Sequence, residues 1–225
     1  MKKPFGKLSA MMGKAWAQAG ADRNSEKGTH LTHPTHPSQV MKDFIKGISA
    51  MPTPRILDIG PVVGSNLEFF LNHGIKVYME DFITSYLNPK YSLVLDGKMT
   101  LNEPTFFEEN FAYEVNSLDG LICWDYLCYI EPRFAGVFVR KISSMVKSGG
   151  LVMAFFHTRR IIGPDMIHKY RIHNESSLEY IPTELKTEFK KAFQIRDVSQ
   201  LFGGFQSQHS YLLKHNVIEI LLKKL

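Results

Sequence analysis

From residue 38 to residue 157 the apolar positions of the chain alternate between two periods. Val40, Met41, Phe44, Ile45 and Ile48 recur at spacings of one, three and four, which is one face of a helix. Ser38 stands where it can cap that helix, and Pro52 and Pro54 end it. Arg55 to Ile59 is a short β-branched and apolar run. It is followed by Gly60, a loop, and a helical segment from Asn66 to Asn72 closed by Gly74. Ile75 to Met79 predicts a second strand, Leu93 to Leu95 a third, Gly120 to Cys123 a fourth and Leu151 to Phe156 a fifth. A helix from Phe134 to Val146 and the turn Ser148-Gly149-Gly150 precede the fifth. Gln208 to Leu213 and Val217 to Leu222 predict two closing strands, joined too tightly for a crossover helix and therefore antiparallel to each other. Strand and helix in alternation predict an α/β fold. The expected form is a seven-stranded, mostly parallel sheet with helices on both faces and a terminal antiparallel strand.

Residues 1 to 37 stand outside this alternation. They are rich in Lys, Gly, Ser, Thr, His and Pro and lack a sustained apolar period, so burial cannot offset their ordering entropy. The expectation is a mobile basic tail over 1 to 37 and one domain over 38 to 225. Within the tail, Phe5, Leu8, Met12 and Trp16 recur at helical spacing. Two readings stand open there: a short amphipathic helix docking on a membrane surface, a partner or the domain itself, or a nascent helix with no partner. His30, His33 and His36 look like a metal tract, but Pro34 and Pro37 forbid a helix that would align them, and no carboxylate or thiolate completes a site nearby. No metal site is assigned.

Composition sharpens the picture in three places. The chain has 225 residues, 44% hydrophobic and 22% charged, an ordinary globular balance that needs no staple. Its net charge of +5 lies in the tail: residues 1 to 30 carry six Lys/Arg against two Asp/Glu, and the remainder twenty-one against twenty. A nearly neutral domain argues against a dedicated nucleic-acid face. Only Cys123 and Cys128 are present, which excludes a disulfide framework and fits a reducing, cytoplasmic setting. No apolar run reaches the roughly 18 residues that a membrane span requires.

Ile56-Leu57-Asp58-Ile59-Gly60 with Gly64, then His73-Gly74 and Val77 to Asp81, resembles the first two motifs of class I S-adenosylmethionine-dependent methyltransferases. The likeness continues through Leu118-Asp119-Gly120-Leu121-Ile122 and Val146-Lys147-Ser148-Gly149-Gly150-Leu151, in order and at the usual spacing, over about residues 40 to 222. The resemblance implies a Rossmann-like sheet with S-adenosylmethionine as cofactor, bound by Asp58, Gly60, Gly64, Asp81 or its neighbour Glu80, and Trp124. Asp58 would serve the methionine end of the cofactor. Asp81 aligns with the acid that accepts the ribose hydroxyls, and a one-residue change of register would give that place to Glu80. The glycine loop departs from the family. It reads Gly60-Pro61-Val62-Val63-Gly64, with a valine where a middle glycine is usual and a proline that has no N–H to donate.

Methyl transfer from a sulfonium needs alignment and exclusion of water more than a fixed triad. Trp124-Asp125-Tyr126 follows the fourth strand, where the family places residues facing the methyl group, and His157 follows the fifth. Asp125 and His157 are the candidate catalytic residues, orienting or deprotonating an acceptor; the plainer alternative is a pair of solvated strand ends. Thr158 to Thr187 reads as an irregular insertion over the crevice, with Arg159, Arg160, His168, Lys169, Tyr170, Arg171 and His173 able to recognise an acidic acceptor or simply to face water. The expected function is S-adenosylmethionine-dependent methyl transfer, to a small molecule rather than a protein or nucleic acid. Two alternatives are kept: a non-catalytic protein of the same fold, and a nicotinamide-dinucleotide oxidoreductase. The second is disfavoured because G-x-G-x-x-G is absent.

Overall fold

The computed structural model describes residues 33–160, 166–213 and 216–225. Its first element is a three-residue strand, β1 (Thr35–Pro37), followed by α1 (Gln39–Ser49). The Ser38 side chain accepts the Met41 N–H at 3.1 Å, and Val40, Met41, Phe44, Ile45 and Ile48 are all buried, so the apolar face is the one the spacing predicts. Then come β2 (Arg55–Asp58), α2 (Gly64–Asn72), β3 (Lys76–Met79) and the short α3 (Phe82–Tyr86). Two strands, β4 (Ser92–Leu95) and β5 (Lys98–Leu101), and α4 (Glu103–Asn110) lead to β6 (Leu118–Cys123). After a 3-10 turn over Asp125–Tyr129, α5 (Pro132–Met145) runs directly into β7 (Val146–His157). The chain closes through β8 (Met166–Asn174), β9 (Ser177–Lys186), α6 (Ile195–Leu201), β10 (Phe205–Leu212) and β11 (Val217–Lys224).

The main sheet has six strands in the order β10-β11-β7-β6-β2-β3. β3, β2, β6 and β7 run parallel, β11 is antiparallel to β7, and β10 is antiparallel to β11. This is the expected mostly parallel, Rossmann-like α/β sheet flanked by helices, with the two closing strands paired antiparallel as anticipated. The order reverses between β2 and β6, and the carboxyl ends at such a switch point form a crevice. The helix α1 lies tightly on this part of the sheet. A Cβ on Gly120 of β6 would come within 2.7 Å of Ile48 and 3.0 Å of Phe44, so any larger residue there would push α1 side chains aside.

Three expectations are corrected. The strand read at Leu93 to Leu95 does not enter the main sheet, which is why that sheet has six strands and not seven. Asp96 and Gly97 both take positive φ, 50° and 73°, and this two-residue turn folds β4 back on β5 as a separate ribbon. The Thr158 to Thr187 segment is not irregular: β8 and β9 form a hairpin, turning at Glu175 and Ser176, that pairs with β1 in a three-stranded antiparallel sheet. Alternation places Tyr170 and Ile172 inside, a register shift between Met166 and His168 lets Ile167 be buried as well, and the charged residues among them masked the pattern. The ordered unit also begins before Ser38, because Thr35–Pro37 pairs with β9 and His36 stacks on Tyr180 at 4.4 Å. The helical spacing of Phe5 to Trp16, together with His30, lies outside the described residues.

Candidate active site

The β2 strand ends in Asp58, only 2% exposed. Its Oδ1 accepts two hydrogen bonds, from the Gly60 N–H at 2.8 Å and from the Trp124 indole Nε1–H at 2.7 Å. Burial pushes this carboxyl up to about 6, against the two donors, and the charge of Asp81 adds to the rise. Trp124 follows β6, the neighbour of β2, and so reaches across the switch point. Its indole lies against Gly60, where a Cβ would stand 2.6 Å from Nε1 and 2.7 Å from Cδ1.

The other face of Trp124 belongs to the hairpin. Tyr170 of β8 stacks on the indole with ring centroids 4.5 Å apart and planes 2° from parallel, and Phe155 of β7 meets it edge-on at 5.5 Å. Asn66, in the first turn of α2, fixes Tyr170 in place. Its Nδ2 donates to the Tyr170 carbonyl and its Oδ1 accepts the Ile172 N–H, each at 2.7 Å, so the side-chain amide stands in for a strand edge. Tyr126 adds a third tie, donating its hydroxyl to the His168 carbonyl at 2.8 Å. The three-stranded sheet is thus a cap over the crevice. Asn66 was not among the sequence candidates, and Tyr126 and Tyr170 were named only as members of their segments, without these roles. Only the period-two alternation of β8 could have pointed to Tyr170, since the pairing of Asn66 with residues about a hundred positions away is purely tertiary.

Beyond Trp124 the 3-10 turn begins with Asp125, 2% exposed, whose Oδ2 lies 2.7 Å from Nε2 of His157 at the end of β7. The two candidates, 32 residues apart, therefore meet as a buried pair. The His157 N–H is directed at the Cys128 sulfur at 3.4 Å, and the Tyr129 and Phe189 rings meet the imidazole edge-on at 6.2 and 6.0 Å. With Asp125 on Nε2, the proton of a neutral imidazole is assigned to Nε2, leaving Nδ1 as the acceptor.

Glu80 and Asp81 separate at the end of β3. The Glu80 N–H extends the ladder to the Asp58 carbonyl, and its side chain accepts the Tyr113 hydroxyl at 2.6 Å while burial pushes it up to about 7. Asp81 caps α3 through the Thr84 N–H at 3.2 Å, and burial raises it as well. The charge of Asp81 is felt at Asp58 and at Tyr126, on the crevice side, whereas that of Glu80 is felt at Tyr113. Gly64 opens α2 and is buried. Of the basic residues in the insertion, Arg171 is engaged by the buried Glu179 at 3.1 Å. No group of three or more His, Cys, Asp or Glu that could hold a metal occurs among the described residues, and no helix there is long and apolar enough to cross a membrane.

No family model and no curated protein matches the sequence. Solved structures do match its fold. A 1,6-didemethyltoxoflavin-N1-methyltransferase from Burkholderia thailandensis, crystallised with 1,6-didemethyltoxoflavin and S-adenosylhomocysteine, is 13% identical, with a TM-score of 0.46 over 100% of this chain and 91% of that one. An S-adenosylmethionine-dependent methyltransferase from Methanosarcina mazei is 14% identical, with a TM-score of 0.48 over 83% of this chain and 97% of its own. The cyclase SpnF is 9% identical, with a TM-score of 0.47 over 82% and 79%. Each is a protein to which this chain is similar in fold.

Proposed function

We propose that the chain transfers a methyl group from S-adenosylmethionine to a small-molecule acceptor. One observation carries the reading: at a single switch point Trp124 bonds to Asp58 and lies against Gly60, with the charge of Asp81 felt at Asp58, and the next residue, Asp125, pairs with His157. The donor set fits the cofactor. It offers carboxylates for an ammonium group and ribose hydroxyls, and it lacks the phosphate-binding loop that a dinucleotide requires. Pro61 removes one N–H, a loss that matters less to a ligand without phosphate.

Asp58 and the loop at Gly60 and Gly64 would hold the amino-acid end, and Asp81 the ribose, with Glu80 supporting from Tyr113. Bound there, the cofactor supplies an electrophilic methyl group on a sulfonium, a good leaving group. On the acceptor side Asp125 fixes the imidazole, and Nδ1 of His157 takes the proton of an acceptor hydroxyl, amine or acid. Tyr129 and Phe189 keep water from that imidazole. The burial of both members of the pair suits a small acceptor that can be enclosed, rather than a macromolecular surface. The two free, buried cysteines suit a reducing, cytoplasmic setting.

A second reading, a non-catalytic protein of this fold, is favoured by one observation, the indole packed on Gly60. Thermal denaturation with S-adenosylmethionine or S-adenosylhomocysteine separates the two. A ligand at a hundred times its Kd stabilises by about 2.7 kcal/mol, a shift of a few degrees in Tm at this chain length. An unchanged Tm with both ligands would favour the second reading.

A further inference from the structure

The cofactor space over Gly60 is filled by the protein itself. We propose that Trp124, clamped by Tyr170, is a displaceable plug that makes cofactor binding conditional on lifting the β1–β9–β8 cap; this rests on the methyl-transfer reading of the site. The absence of a side chain at residue 60 is used in this structure by the indole, which would meet a Cβ at 2.6 Å. Asp58 Oδ1, which would serve the cofactor, is occupied by the same indole's N–H. Trp124 is 1% and Tyr170 5% exposed, so both rings are buried where they cover Asp58 and Gly60.

The clamp is built to open as a unit. The cap is a sheet of its own, and no ladder joins it to the six-stranded sheet. What fastens it is two bonds from Asn66, one from Tyr126, the aromatic stack, the His73–Glu175 pair and the Ser38 N–H on the Ser176 carbonyl, together with Ile167, Ile172 and Leu178 packed into the core they share with the main sheet. Lifting the cap therefore breaks no strand pairing in the main sheet, and the released indole can leave Gly60 and Asp58. When only a fraction of molecules is open, apparent affinity falls by that fraction, and loosening the clamp restores it. The plug thus couples cofactor entry to the element that covers the acceptor side, so that both compartments open together.

The test uses the full chain with Trp16→Phe, which leaves Trp124 as the one tryptophan. S-adenosylhomocysteine is titrated while calorimetry reads its affinity and fluorescence reads the indole. Asn66→Ala and Tyr170→Leu, in the same background, loosen the clamp in two independent ways. The expected result is an emission change on binding in the parent, and affinity at least tenfold higher in both variants, whose emission is already shifted without ligand. Binding in all three at equal affinity with unmoved emission overturns the plug and leaves the methyl-transfer site standing. Weaker binding in the variants makes Trp124 and Tyr170 part of the binding surface and also overturns it. No binding in any of the three overturns the methyl-transfer reading itself, and the plug with it.

Discussion

Two buried carboxylates stand at the ends of adjacent strands, Asp58 after β2 and Asp125 after β6, and they are satisfied in different ways. Asp58 receives fixed donors, a backbone N–H and an indole N–H, neither of which titrates in water. Asp125 receives an imidazole, a ring with one donor and one acceptor nitrogen. The first arrangement can hold a ligand or a plug but cannot move a proton, whereas the second can. Trp124 and Asp125 are consecutive, so under the proposed function the same turn of chain would divide a binding compartment from a chemical one.

The largest effect expected from breaking this contrast is on stability. Asp58 rises from 3.8 to about 6, Glu80 from 4.5 to about 7, and Glu219, fully buried and facing Ser38 and Val40 at the start of α1, from 4.5 to about 7, each through burial first. A carboxyl raised in the folded state binds its proton more tightly there. Its contribution is complete below about pH 4 and is lost as pH rises through 6 to 7. Asp58→Asn keeps an oxygen for Gly60 and Trp124 without the charge. Denaturant titrations at pH 3.5 and 7.5 should show it escaping a loss on the order of 3 kcal/mol that the wild type suffers. An equal loss in both proteins would mean that Asp58 does not carry the raised proton affinity.

On the chemical side, Asp125→Asn should slow methyl transfer by about 10²-fold or more while leaving S-adenosylhomocysteine affinity unchanged. His157→Ala should do the same, and a parallel fall in affinity in either variant would merge the two compartments into one. Within the binding compartment, Asp81→Ala should weaken S-adenosylhomocysteine by about 1.5 to 3 kcal/mol, and Glu80→Ala by much less. The reverse order by calorimetry would give the ribose to Glu80. Smallest of all, deleting residues 1 to 30 should shift the melting temperature by about 2 °C or less, because their sequence lacks the apolar period that burial requires.

What the sequence revealed follows from the range of the interactions involved. The face of α1, the strand ends at Asp58 and Gly60, and the antiparallel pair β10–β11 are set by local period and turn chemistry, and they were legible. The fate of Leu93 to Leu95 was also local, written in the Asp96-Gly97 turn, which pairs them with Lys98–Leu101 and not with the main sheet. The hairpin was hidden because Lys169, Arg171 and His173 interrupt the buried Ile167, Tyr170 and Ile172 with charge. That Asp125 and His157 lie on adjacent strand ends could be expected from topology, whereas their contact at 2.7 Å could not. Least legible was Trp124. Its place after the fourth strand marked it as a cofactor contact, and nothing in the sequence told that its own partners would be Gly60 and Asp58.

The most direct test of methyl transfer at this site is label transfer. The full chain is incubated with methyl-labelled S-adenosylmethionine and cell extract, and label in small molecules is measured beside a parallel reaction with Asp125→Asn. Transfer above the protein-free control, reduced about 10²-fold in the variant, is the result predicted here. Transfer that Asp125→Asn leaves unchanged would remove the Asp125–His157 pair from the chemistry, and no transfer above the control would contradict the account as a whole.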